Sequence, residues 1–177
     1  MKLRFVTLCL LLVVLCACKD KTNTSIKVEG QVAKTSHVDL EVYDFTGFKS
    51  FLNREDNNVY VINFWATWCT PCIKELPAFE AINKQYKNKG VQVILVSLDI
   101  PEAYNTKLKP FILKENLKSK VIALDDINAT AWMPQINNDW TGSLPATLIY
   151  KNNDSKFYEQ SLTHNELNEA LKLFLNK

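Results

Sequence analysis

The sequence has little glycine, 4 residues, and 6 prolines among 177. That scarcity excludes a low-complexity chain or long disordered stretches. It also lacks any excess of charge. The formal net charge is +2, which gives no electrostatic case for nucleic-acid binding. There are 2 histidines and 5 cysteines, too few for a histidine-rich metal tract or a dense disulfide scaffold. No internal repeat or second domain is visible. What remains is ordinary for one soluble globular domain: 47% hydrophobic and 23% charged residues, with room for a sizeable core and short extras.

The N-terminus is the first readable segment. Met1-Lys-Leu-Arg4 is a short basic start, and Phe5 to Ala17 is an apolar run of signal-peptide length. That run is shorter than the roughly 20 residues of a membrane span. Leu15-Cys16-Ala17-Cys18 resembles a bacterial lipobox, which makes residues 1–17 a lipoprotein signal peptide and Cys18 the lipidated N-terminus. A simple signal peptide cut near Ala17 is the plainer alternative. Residues 18–37 then read as a tether, with the polar run Lys19 to Ser25 inside it. Acyl chains anchor such a protein stably to a membrane. The expected localisation is the cell envelope, lipid-anchored, on the periplasmic side or the outer-membrane surface. Removal of Lys2 and Arg4 with the leader takes the net charge from +2 to +2 − 2 = 0.

The same cleavage simplifies the cysteines. Cys9 and Cys16 leave, Cys18 takes lipid, and Cys69 and Cys72 remain as thiols. No other cysteine is left for a structural bridge or a four-thiolate zinc site, so no metal is expected. The remaining pair stands at a junction. Val59 to Phe64 is a nearly continuous apolar run of strand length, as in a strand buried on both faces. After the pair, Ile73, Leu76, Phe79 and Ile82 recur with helical spacing. The first sulfur therefore meets unpaired helix N–H groups and the positive end of the dipole, both of which stabilise a thiolate. The second lies one turn on, close enough to close a disulfide.

Along the chain, Ile26–Lys34 reads as a short strand or ordered arm and Val38–Tyr43 as a half-buried strand. Thr46–Asn53 reads as a short helix capped by Thr46, with Phe48, Phe51 and Leu52 on one face. A helix is expected from Pro71 to about Asn88, kinked at Pro77 and stopped near Gly90. Val91–Ser97 is a second central strand, which gives a parallel βαβ unit. A helix over Ala103–Glu115, disturbed by Pro110, a strand at Val121–Leu124, and a helix over Asn128–Met133 follow. Pro134–Gly142 is expected as loop. Ser143–Tyr150 and Ser155–Glu159 form a hairpin, and Thr163 with Glu166 is a capping box opening the last helix.

Taken together, Phe64-Trp-Ala-Thr-Trp-Cys69-Thr-Pro-Cys72 resembles the thioredoxin-family active site, and residues 38–177 follow the thioredoxin order of elements. Glu75 and Pro77 extend the resemblance to the membrane-tethered TlpA/ResA-like branch. The implied fold is α/β and thioredoxin-like: a central mixed β-sheet flanked by helices, with a helix-containing insertion after the first βαβ unit. The implied activity is reduction of protein disulfides through the Cys-Thr-Pro-Cys dithiol, without a cofactor. Cys69 is then the nucleophile, exposed at the helix end, and Cys72 the buried resolving thiol.

Trp68, Thr70, Pro71, Leu144 and Pro145 become the implied substrate-binding surface. Leu144-Pro145 resembles the family's cis-proline loop, although Leu144 replaces a common threonine. Trp65 is expected in the core, Trp132 and Trp140 as packing of the insert, and His37 and His164 at the surface. Pro71, where strong oxidants carry histidine, favours a potential nearer thioredoxin's (about −270 mV) than the oxidants' (about −120 mV). Asn63 departs from cytosolic thioredoxins, whose buried aspartate takes the second cysteine's proton. Glu75 matches a site glutamate of the ResA-like branch and is expected to tune or accept that proton; an exposed helix glutamate is the alternative.

Implied partners are disulfide-containing envelope proteins, apocytochrome c among them, and a membrane or periplasmic electron donor, with the chain itself a monomer. Two rivals share the fold. A thiol peroxidase uses a Thr-x-x-Cys pocket, whereas Ala66-Thr-Trp-Cys69 misplaces the threonine. A copper-chaperone-like binding module uses a wider cysteine spacing and a later histidine, and Asp139–Pro145 holds none.

Overall fold

Seven consecutive residues, Val59–Trp65, are buried, and the strand they form (β2) is the centre of the molecule. A computed structural model describes residues 37–175. The leader, Cys18, nearly all of the tether and the arm expected at Ile26–Lys34 lie outside the described residues. Around β2 runs a six-stranded sheet made of β1 (Glu41–Tyr43), β2, β3 (Val91–Ser97), β4 (Lys120–Leu124), β5 (Ala146–Lys151) and β6 (Asp154–Tyr158). Their spatial order is β1-β4-β3-β2-β5-β6. β1, β4, β3 and β2 are mutually parallel, while β5 and β6 run antiparallel to them, so the sheet is mixed.

Alternation along β2 divides the core in two. Val59, Val61 and Trp65 face helices α2 (Thr70–Tyr86), α4 (Lys109–Lys114) and α6 (His164–Leu175). Tyr60, Ile62 and Phe64 face α1 (Phe45–Phe48), α5 (Ala129–Ile136) and the segment around Trp140. A short α3 (Pro101–Ala103) leads into a π-helical stretch, Tyr104–Leu108, before α4.

Several local expectations need correction. The half-buried strand at Val38–Tyr43 shortens to Glu41–Tyr43, because β1 is an edge strand with β4 alone beside it. Asp44, not Thr46, caps the first helix: its carboxylate accepts the Gly47 N–H at 2.7 Å. The helix itself is one turn of α-helix followed by a 3-10 turn, Lys49–Phe51. The helix expected over Ala103–Glu115 is disturbed by Pro110 as anticipated: residues 101–114 are continuously helical, and the run is π-helical at Tyr104–Leu108, just before the proline. Pro134 does not end α5, which runs on to Ile136. Pro77 lies inside α2 without ending it, and Gly90 closes the following turn with φ +75°. The capping box of α6 is formed: Thr163 N–H donates to Glu166 at 2.8 Å, and Glu166 N–H to Thr163 Oγ1 at 3.3 Å.

Candidate active site at the start of α2

The chain leaves β2 at Trp65, turns through Ala66-Thr67-Trp68, and enters α2 with Cys69 as its N-cap. Cys69 and Cys72 form a disulfide, with Cα atoms 5.3 Å apart. The Cys72 N–H donates to Cys69 Sγ at 3.3 Å, so one of the helix's orphan donors is aimed at the first sulfur. Thr70 and Pro71 form the exposed first turn. Cys69 is less open than the sequence suggested, 5% exposed against 0% for Cys72. Trp68, by contrast, is 66% exposed beside it, while Trp65 is fully buried.

Beneath the disulfide lies a buried polar group of three side chains. Glu75, one turn past Cys72, is 5% exposed. Its Oε1 accepts from the Asn63 side-chain amide at 2.8 Å, and its Oε2 from the Leu162 backbone N–H at 2.8 Å. Asn63 also donates to Thr147 Oγ1 at 3.1 Å, across the β2–β5 pair that joins the two residues. Burial pushes the Glu75 carboxyl up from 4.5 to about 7, against the two hydrogen bonds, which favour the ionised form. The alternative of an exposed helix glutamate is therefore excluded. A groove between α2 and the start of α6, lined by Pro71, Lys74, Glu75, Ser161 and His164 among others, opens beside the carboxyl.

Leu144–Pro145 comes to the same end of the sheet. β5 starts at Ala146, which pairs with Phe64 near the end of β2, so the preceding proline lies where α2 begins. Pro145 is buried, and its peptide bond with Leu144 is cis. Leu144 packs against both halves of the core, one of which contains Cys69 and Cys72. Trp132 and Trp140 lie on the opposite face of the sheet in an aromatic cluster, as packing residues. His37 and His164 are exposed.

Sequence reasoning missed Asp99. This carboxylate is 2% exposed at the end of β3. It accepts from Thr67 N–H at 2.9 Å, Thr67 Oγ1 at 2.6 Å and Ser97 Oγ at 2.8 Å. It thereby ties the loop that carries Trp68 and Cys69 to the neighbouring strand. An aspartate two residues after a buried strand was the available signal, but its partner 32 residues away was invisible.

The surroundings of this dithiol are matched elsewhere. The pattern of the AhpC/TSA family matches residues 34–155. The thiol-disulfide oxidoreductase ResA of Bacillus thuringiensis (strain Al Hakam) is 32% identical over 136 residues, 77% of this chain and 72% of the relative. ResA of Oceanobacillus iheyensis is 51% identical over 39 residues, 22% of this chain, and that match spans 20% of the relative's length. The solved thioredoxin-related protein from Neisseria meningitidis serogroup B superposes with a TM-score of 0.59 at 25% identity, covering 69% of this chain and 88% of that one. With a mixed sheet, a Cys-x-x-Cys disulfide at a helix start and these relatives, the chain belongs to the AhpC/TSA family of thioredoxin-like proteins, alongside its ResA thiol–disulfide oxidoreductases.

Proposed function

We propose that this chain is a thiol–disulfide oxidoreductase of the bacterial cell envelope that reduces disulfides in other proteins. The observation that carries this is the Cys69–Cys72 disulfide capping α2, with the Glu75 carboxyl buried one turn below. In the reduced protein the Cys69 thiolate attacks one sulfur of a partner disulfide and expels the other as thiolate. Cys72 then loses its proton and attacks the Cys69 sulfur. The Cys69–Cys72 disulfide forms, and the partner leaves with two thiols and two electrons.

Glu75, held near neutrality, is the acceptor for the Cys72 proton, and the groove beside it leads that proton to solvent. Trp68, Thr70, Pro71, Leu144 and Pro145 form the contact surface for the partner. A membrane or periplasmic dithiol donor restores the reduced state. Residues 1–17 act as the signal peptide, Cys18 carries the lipid anchor, and residues 18–37 tether the domain 38–177. The Thr67 hydroxyl is committed to Asp99, which leaves it unavailable to a peroxide pocket.

Insulin-disulfide reduction by the whole chain tests the core of this proposal. Wild type is expected to be active, and Cys69→Ser inactive; turnover surviving in Cys69→Ser would overturn it. Cys72→Ser is expected to accumulate mixed disulfides in the envelope, whose identification separates apocytochrome c from broader thiol repair.

A further inference from the structure

The buried polar group beneath the disulfide is fully matched except for one acceptor. The Asn63 amide commits both Nδ2 hydrogens, one to Glu75 Oε1 at 2.8 Å and one to Thr147 Oγ1 at 3.1 Å. Glu75 Oε2 accepts the Leu162 N–H at 2.8 Å. Asn63 Oδ1, in a side chain of 0% exposure, has no hydrogen-bond partner.

This pattern fits one protonation state of Glu75. A carboxylate only accepts, and both groups that face it donate. A carboxylic acid has one O–H of its own to donate. Neither the Leu162 N–H nor Asn63 Nδ2 can receive that hydrogen. The Leu162 donor is main chain and keeps its place. The Asn63 amide ends on a torsion between sp3 and sp2 carbons, and its two half-turn positions have nearly the same shape. A half-turn brings the spare Oδ1 to where Nδ2 stood. Thr147, also 0% exposed, allows the change, because a hydroxyl accepts in one arrangement and donates in the other. The titratable neighbours of the carboxyl are Cys69 and Cys72 ahead of it on α2, with exposed Lys74 on α2 and exposed His164 at the start of α6 lining the groove. The paired positions on β2 and β5 bring only the uncharged Asn63 and Thr147.

We infer that Asn63 is a positioning residue for the proton step: its amide turns over when Glu75 is protonated, donating to the carboxylate through Nδ2 and accepting from the carboxylic acid through Oδ1, while Thr147 Oγ1 changes from acceptor to donor. The inference rests on the reading of Glu75 as acceptor of the Cys72 proton and adds the group that keeps the carboxyl aimed in both states. Cys72 Sγ gives its proton to Glu75 Oε1, which leaves a thiolate and a neutral acid. No electron changes hands in this step. The acid then donates to Asn63 Oδ1, and loss of its proton to solvent returns Nδ2 to the carboxylate. An ionised aspartate at this position would offer the charged form no donor, and an aliphatic side chain would offer neither donor nor acceptor.

The test is nuclear magnetic resonance on the whole oxidised chain from about pH 5 to about pH 9, following the Glu75 carboxyl carbon and the contacts of the Asn63 side-chain NH2. Cross-relaxation between that NH2 and the Thr147 methyl group is expected at the alkaline end and lost at the acid end, with the same midpoint as the carboxyl carbon. His164→Gln is expected to leave that midpoint in place. Contacts that persist while the carboxyl carbon titrates, or a midpoint that follows His164, would overturn the inference alone. A carboxyl carbon that does not titrate in this range would overturn the proton-acceptor reading and this inference with it. Single-turnover stopped flow on a peptide disulfide adds a readout that packing alone does not move. In Asn63→Leu the ratio of the resolution rate at Cys72 to the attack rate at Cys69 is expected to fall about tenfold; an unchanged ratio would overturn the positioning role. The resonance experiment needs no substitution at Asn63 and decides the case even where Asn63→Leu does not fold.

Discussion

The two faces of the sheet solve the same burial problem with different materials. The face covered by α1 and α5 is an aromatic stack. Phe45 lies 5.8 Å from Trp132, Phe64 4.9 Å from Trp140, and Trp132 5.6 Å from Trp140, centroid to centroid. Its indole N–H groups are satisfied, Trp132 by the Asp126 carbonyl and Trp140 by the Ser143 carbonyl. The face covered by α2, α4 and α6 is mainly aliphatic, yet it admits Asn63, Glu75 and Thr147. It also leaves Asn63 Oδ1, Trp65 Nε1 and Tyr104 Oη without partners. Buried polar groups carry a desolvation cost. Their concentration on the side of the cysteines separates the part of the core that makes the fold from the part that makes the chemistry.

The comparison can be broken hardest from the aromatic side. Phe48 is fully buried there, against Phe64 at 5.9 Å. Phe48→Ala is expected to lower unfolding free energy by about 3–5 kcal/mol in denaturant melts, while the surviving folded protein keeps its thiol titration. A shifted thiol titration would mean the two faces are not separate.

The second effect lies in the pH dependence of stability. The folded Glu75 carboxyl holds its proton up to about 7, the unfolded one to about 4.5. The folded state therefore binds the extra proton between these values. Stability from this group is full below about 4.5, falls as pH rises to about 7, and is level above. Glu75→Gln is expected to remove that fall, on the order of 3 kcal/mol, in melts of the oxidised protein across pH 4 to 8. It should also move the Cys72 titration; an unchanged profile removes Glu75 from the proton path.

A smaller effect is expected where the loop is tied down. Thr67→Val deletes the hydroxyl bond to Asp99 and should cost about 2 kcal/mol, together with a changed thiol potential by redox titration, whereas Thr67→Ser should restore both. Smallest is Asp44→Ala, which removes the cap of α1 on the aromatic side. A loss of about 1 kcal/mol is expected, with disulfide reduction unaltered in the insulin assay.

What was legible in the sequence were features set by near neighbours. The apolar run of β2, the cysteines after it and the spacing of Ile73, Leu76, Phe79 and Ile82 are local, as is the box formed by Thr163 and Glu166. Asp44 was passed over for Thr46 because capping is decided by where the chain turns, not by residue type alone. Pro134 misled because a proline inside a helix costs a hydrogen bond without always ending the helix, and α5 runs on past it to Ile136. The long-range bonds were illegible for a different reason. Asn63 meets Thr147, and Asp99 meets Thr67, through the pairing of neighbouring strands, while Asn63 meets Glu75 through the packing of α2 on β2; these positions are 12 to 84 residues apart. No local pattern encodes such a meeting.

One atom links the two accounts. Cys69 Sγ receives the Cys72 N–H at the start of α2, so the sulfur that exchanges electrons is also the sulfur that finishes a helix. A thiolate is a far better acceptor than a sulfur in a disulfide, so the first turn of α2 is held more firmly once electrons arrive. The protein's redox state is thereby written into the breathing of its backbone. Amide hydrogens at Cys72 and Ile73 should exchange more slowly in the reduced protein above the Cys69 pKa than in the oxidised one, a record of electron occupancy that needs no client.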